Sequence, residues 1–279
     1  MAKEKEKAEK LMSIEKENNF DSRFEDGPEN DISDLLAAWP YDENNEVRRI
    51  KGWDGREKLQ VRLPLGLEQY ELDGRPDGLR PEGYESYLDY YEEIARRSSP
   101  GWSLSKEDFK KLHEEGLLYY QRYLLFFRIG EYDLCVRDTT RNLRLLDFVK
   151  RYAPDSETAE ILEQYRPYIL RMRTMAQAIK LAKEGRLIEA VEVVDCGLEE
   201  IEGLDPVDTP VWRLEKTRSL ISLRDLKNQL CRHDPVKEIE RLKEELKKAV
   251  SKEDYEKAAA LRDEIKRLRS SSRKEEKKN

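Results

Sequence analysis

A few kinds of side chain in this 279-residue chain could do chemistry, and their spacing limits which can act together. Two Asp-Gly-Arg triplets occur, Asp54-Gly55-Arg56 and Asp73-Gly74-Arg75, with Asp77 just beyond the second. If Arg56, Arg75 and Asp77 converged, arginines beside exposed backbone N–H groups would make an anion site and a possible enzyme centre. Asp-Gly pairs are also what turns with positive φ require, and turn chemistry is the simpler reading. There are two histidines: His113 inside a helical pattern and His233 in a turn. Neither has a partner at general-base or metal-ligand spacing, so no catalytic residue, metal or cofactor is assigned and the chain is read as a non-enzyme. Cys135, Cys196 and Cys231 are scattered and form no Cys-x-x-Cys pair. They read as buried thiols in a reducing compartment. Tyr84, Tyr87 and Tyr91 could be a stacking platform for bases. With Leu88 and Ile94 they fall on one helical stripe, which favours packing with the hydroxyls at the rim.

Charge outweighs apolar content, 41% against 38%, which argues for slender helical pieces over one large core. The net charge of -7 disfavours a general nucleic-acid grip. Residues 270–279 form a basic tail that reads as disordered and solubilising. The lysine-rich start has no apolar region behind it, so it is no secretory signal. No run is long and apolar enough to span a membrane, and a cytoplasmic location follows as the expectation.

The elements that must position these residues divide the chain into segments. Residues 1–30 are polar and read as disordered. Residues 31–104 hold a short helix, a small β-element near 57–72 and the tyrosine-rich helix. The short helix runs from Asp31 as cap to Pro40, with Ile32, Leu35, Leu36 and Trp39 on one face. That face either packs on the body or docks into a partner groove. In the β-element Leu59, Val61, Leu63 and Leu65 alternate with polar residues, predicting one buried strand face. Leu67 to Leu72 is the partner strand. Ser105 and Asp108 form a capping box that opens the next helix.

Residues 105–232 read as repeated helical hairpins. Aligning Gly130 with Gly185 pairs Cys135 with Ala190, Leu143 with Leu198 and Leu146 with Ile201. Upstream, Leu117 and Tyr120 pair with Met172 and Met175. Each glycine ends one helix and a second helix returns. Thr209 and Pro210 then start a further helix with Trp212, Leu220, Leu223 and Leu226 on its apolar face. The stretch 172–202, with small Ala182, Gly185 and Ala190, resembles a tetratricopeptide repeat, whose hairpins are protein-binding scaffolds. Its 55-residue offset and the Arg166-Pro167 break depart from that family's 34-residue period. The predicted fold is therefore mainly α: a helical-hairpin, tetratricopeptide-like body, a small β-element and a carboxy-terminal antiparallel hairpin.

That last hairpin covers residues 234–269. Val236, Ile239, Leu242, Leu246, Ala249 and Val250 make a heptad-like, coiled-coil seam on its first helix. Ser251 and Asp254 box the second, whose seam is Tyr255, Ala258, Leu261, Ile265 and Leu268. Ala258, Ala259 and Ala260 let the helices approach closely. About 35 residues cannot cover both faces of a two-helix seam, so an apolar strip should stay open beside Ala259 and Arg262. Arg262 and Asp263 would lie at its rim, where charge sets orientation.

The spaced core DYEKAAALRDEIKRL, with Leu242, Leu246 and Ala249 before it, resembles the UVR motif of the UvrB and UvrC subunits of bacterial excision nuclease. The resemblance implies a helical hairpin that pairs with another copy or another UVR protein. It also links the segment to a Clp-type chaperone ATPase and to a protein arginine kinase activator. The implied interaction residues are Leu242, Leu246, Ala249, Tyr255, Ala258, Ala259, Leu261, Arg262, Asp263, Ile265 and Leu268. UvrB's phosphate-binding loop and the activator's zinc-binding cysteine pairs are absent. The expected function is a non-enzymatic protein-interaction adaptor. The alternative is an accessory DNA-binding factor in nucleotide excision repair.

Overall fold

The computed structural model describes residues 31–232 and, beyond them, Leu242, Lys243, Leu246, Lys247, Lys257, Leu261, Arg262 and Asp263. The expected disordered ends, 1–30 and 270–279, lie outside these residues. The architecture is mainly helical with one three-stranded antiparallel sheet. In chain order the elements are α1 (Ser33–Ala38), β1 (Val47–Lys51), β2 (Glu57–Leu63), β3 (Gly66–Glu71), α2 (Tyr87–Arg97), α3 (Lys106–Ile129), α4 (Tyr132–Tyr152), α5 (Ser156–Glu163), α6 (Arg166–Lys183), α7 (Leu187–Glu202) and α8 (Pro210–Arg232).

The sheet runs β1-β2-β3. Leu59 faces Arg49 and Tyr70 across the strands, and Val61 faces Val47 and Glu68. Leu59, Val61, Tyr70 and Leu72 pack onto Tyr123, Phe126, Cys135, Met172 and Ala176, so one face of the sheet lies on α3, α4 and α6. The alternation expected through Leu65 stops earlier. Leu63 pairs with Gly66, which puts Pro64 and Leu65 in the two-residue turn, and Leu65 is 93% exposed. The sequence did not single out β1, whose charged Val-Arg-Arg-Ile-Lys run carries little alternation. The second sheet face is polar and only partly covered: Gln60 and Arg62 are buried, while Gln69 is exposed. Arg48 donates to Gln60 Oε1, Gln60 donates to Gln69, and Arg62 donates to the Trp39 and Gly66 carbonyls.

Asp31 accepts the Ser33 N–H at 2.9 Å, but it is not the cap expected: Ile32 holds the N-cap position, and no side chain caps α1. Its apolar face is not packed away, because Ile32 and Leu35 are exposed. Tyr84 lies ahead of α2, while Leu88 and Tyr91 are buried as expected. The Ser105–Asp108 capping box is formed in full.

The hairpin echo is a shared backbone motif. Gly130 has φ 80° and Gly185 φ 81°. The Gly130 and Glu131 N–H groups bond the Phe127 and Phe126 carbonyls, and those of Gly185 and Arg186 bond Ala182 and Leu181 in the same pattern. This six-to-one, five-to-two closure needs a left-handed residue, which glycine adopts without steric cost. Downstream the equivalence holds: Cys135 and Ala190 are both fully buried. Upstream it fails, since Leu117 and Tyr120 are exposed where Met172 is buried. Between the two hairpins stands α5, an unforeseen helix capped by Asp155. α8 then returns along α6 and α7, with Trp212 N–H bonded to Thr209 Oγ1 as its cap.

α6 and α7 meet closely at Gly197. A Cβ there would sit 2.5 Å from Thr174, which is itself buried. Gly197→Ala will therefore destabilise the body by about 1–3 kcal/mol through overpacking. Thr174→Ala in the same chain should recover part of that loss, as read from urea unfolding midpoints. Among the described residues no helix is long and apolar enough to cross a membrane.

Candidate interaction sites

The first Asp-Gly-Arg triplet lies in a turn, and the second is a bend that leads into the turn at 75–78. Gly55 N–H bonds the Gly52 carbonyl, and Gly78 N–H bonds that of Arg75. Their charges are already matched. The Lys58 ammonium and the Arg56 N–H hold the Asp54 carboxyl down at about 2. Arg56 also approaches Glu71 at 3.6 Å. Arg75 is bonded to Asp77 at 2.9 Å and to Glu115 at 3.1 Å. Each arginine is committed to carboxylates, which leaves the triplets poorly suited to hold an anion. His113 is partly buried with its ring stacked on Phe109 at 6.0 Å. His233 lies outside the described residues. Among the described residues no group of three or more His, Cys, Asp or Glu could hold a metal ion.

The thiols divide differently from expectation. Cys135 is fully buried, and burial pushes its thiol up to about 12. Cys196 is exposed on α7, so it is no core thiol. The tyrosine stripe is a packed aromatic cluster. Tyr87 stacks on Tyr91 at 6.1 Å, and the Tyr91 hydroxyl donates to Asp108.

A buried ionic cluster between the sheet, α2, α3 and α4 was not anticipated. Glu115 has no exposed surface. It accepts from the Tyr87 and Leu88 N–H groups at the start of α2, from Arg75 and from Arg141. One turn pair further along α3, Arg122 forms a two-pronged pair with Asp138 at 2.7 and 3.0 Å. Its third contact is the Glu71 carbonyl at the end of β3, at 2.7 Å. Arg137 reaches the Leu72 carbonyl and Asp73. These bonds fasten the β-element and α2 to the first hairpin. A sequence signal did exist: Glu115 and Arg122 share the 3–4 spacing of Leu112, Tyr119 and Phe126, and Asp138 and Asn142 share that of Cys135, Leu145 and Val149.

On the other flank of α3 lies an apolar groove of about 330 Å³, walled by α3, α4, α5, α6 and α8. Leu117, Tyr120 and Tyr165 line it and remain exposed. Glu215 sits on its α8 side, 3.8 Å from Arg171.

Of the expected interaction residues, five are described. All five are helical: Leu242 is 5% exposed, Leu246 and Leu261 are partly buried, and Arg262 and Asp263 are exposed. Lys243, Lys247 and Lys257 are exposed as well. Apolar residues four apart thus turn inward while their charged neighbours face water, the burial pattern of a seam with a solvated flank. Ala249, Tyr255, Ala258, Ala259, Ile265 and Leu268 lie outside the described residues.

The family model of the UvrB/uvrC motif matches residues 237–271. The match confirms the resemblance of this short segment. The tetratricopeptide-like resemblance of 172–202 gains no such support. No curated protein and no solved structure matches the chain.

Proposed function

We propose that the protein is a non-enzymatic adaptor, in which the carboxy-terminal hairpin pairs with a second copy of itself or with another UVR-bearing protein. The match at residues 237–271 carries this reading. Buried Leu242 and exposed Arg262 and Asp263 support it, since apolar positions that turn inward with charges left in water suit helix–helix pairing. The helical body supplies a second contact surface, for which the groove at Leu117, Tyr120 and Tyr165 is the candidate. The bridged charges of the turns and of the buried cluster support a structural role for these groups over a catalytic one. A protein of this kind acts in the cytoplasm, with an excision nuclease subunit or a Clp-type chaperone system as the class of partner the motif suggests.

Light scattering on the full chain and on a chain ending at residue 233 tests this. The full chain should show a mass that rises with concentration, or capture an isolated UVR hairpin, and the shortened chain should do neither. Equal behaviour of the two chains would sink the adaptor reading. Salt-sensitive binding of labelled duplex or single-stranded DNA, without any effect of the deletion on protein association, would instead favour the DNA-repair alternative.

A further inference from the structure

The outer face of the sheet carries a second groove, remote in character from the apolar one. Leu35 of α1, Ile50 and Trp53 supply its apolar surface, and Arg48, Lys51 and Lys58 its charge. No acidic side chain lines it. Lys58 is bridged to Asp54 and Glu71. Arg48 is bonded to neutral Gln60 and stacked on Trp39, 3.9 Å from the ring centre. Among the described residues neither Arg48 nor Lys51 has a carboxylate within salt-bridge distance, in a chain of net charge -7. Trp53 projects its whole indole into solvent, and Leu35, which also lines the groove, is exposed. β1, which supplies Arg48, Ile50 and Lys51, is an edge strand, so its outer backbone groups are open to an extended segment.

We propose that this groove binds residues 15–30 of the same chain. Those residues carry Glu15, Glu17, Asp21, Glu25, Asp26 and Glu29 against Lys16 and Arg23, a net of -4. Phe20 and Phe24 lie among them as aromatic anchors suited to Trp53 and Ile50. The attachment point fits. Residue 30 precedes Asp31, and Leu35, four residues further on, already lines the groove. A segment tethered this close has an effective concentration on the order of millimolar, so a weak contact is enough to keep the groove covered. The complementarity is one of charge and apolar surface together: unbalanced cations and an exposed indole on one side, acids and phenylalanines on the other.

Hydrogen exchange on the full chain, read by mass spectrometry, decides the matter. At low salt the amides of 15–30 should exchange about tenfold slower than the free-chain rate, and 0.5 M salt should remove most of that protection. Arg48→Glu/Lys51→Glu should abolish it. Because Arg48 also braces Trp39, a second variant leaves the groove untouched: Glu25→Lys/Asp26→Lys should abolish protection too, and combining all four changes should restore it in part. Exchange of 15–30 at the free-chain rate in the unaltered protein would overturn the proposal. So would protection that ignores the groove variants, or protection that rises with protein concentration, which would assign the groove to a second copy.

Discussion

Asp138→Ala will lower the unfolding free energy of the body by roughly 3–5 kcal/mol, the usual cost of removing one partner from a buried ion pair. Arg122 and Asp138 are each 1% exposed. With the carboxylate gone, the Arg122 guanidinium would keep only the Glu71 carbonyl and the flanking rings of Tyr119 and Phe126. Water cannot reach it to make up the difference, so the charge is left desolvated. The double change Arg122→Met/Asp138→Leu gives the contrasting result. It removes both charges, forfeits the bond to Glu71 at about 1 kcal/mol, and fills the space with apolar volume. It should therefore cost far less than the single change. Urea unfolding of the two variants measures the difference. A single-variant loss below about 1 kcal/mol would show that the pair is not the clamp its geometry suggests. The damage should be local as well as global. Arg122 and Arg137 hold the Glu71 and Leu72 carbonyls, so hydrogen exchange in β3 should accelerate before that in α6 and α7.

This cluster also marks where local pattern stops being informative. Capping boxes, glycine stops and apolar stripes act over a few residues, and those features stood in the sequence: the Ser105–Asp108 box, Gly130, Gly185, and the Leu223 and Leu226 face of α8. Strand β1 was not legible, because Arg48 and Arg49 are held by distant partners, Gln60 in one case and Glu57 with Glu131 in the other. A charged strand becomes a strand only once those acceptors are in place. Leu65 failed for the opposite reason: its period-two position matched the strand, but Pro64 beside it forces the turn. Helix α5 was missed because its eight residues carry one buried side chain, Leu162. At the carboxy-terminal segment the motif was readable by its spacing, and the family model matches residues 237–271. The groove at Leu117 and Tyr120 was not readable, since helical spacing marks an apolar face and does not say which neighbour, if any, will cover it.

If residues 237–271 pair as proposed, Leu242 and Leu261 on one side and Arg262 on the other should respond differently to substitution. Leu242→Asp/Leu261→Asp will weaken association by at least about 100-fold, since carboxylates at two seam positions cost upward of roughly 3 kcal/mol and open the segment that presents the pairing surface. Leu242 is buried and Leu261 half-buried, so the larger share should come from Leu242. The body should remain folded, because its core is built from Leu112, Leu145, Leu170 and Leu223 and their neighbours in α3 to α8. Arg262→Glu should behave differently. Its side chain is exposed, so it contributes through long-range charge, and the change should alter association by less than about tenfold and mainly through the on-rate. Raising salt to about 0.5 M, where the screening length falls to a few ångströms, should erase the Arg262 effect and leave the leucine effect intact. Light scattering gives the equilibrium effect, and stopped-flow mixing with a labelled hairpin gives the rates. If both variants lost association equally and both recovered with salt, the pairing would be held by charge, and the Leu242 and Leu261 seam would not be what supports it.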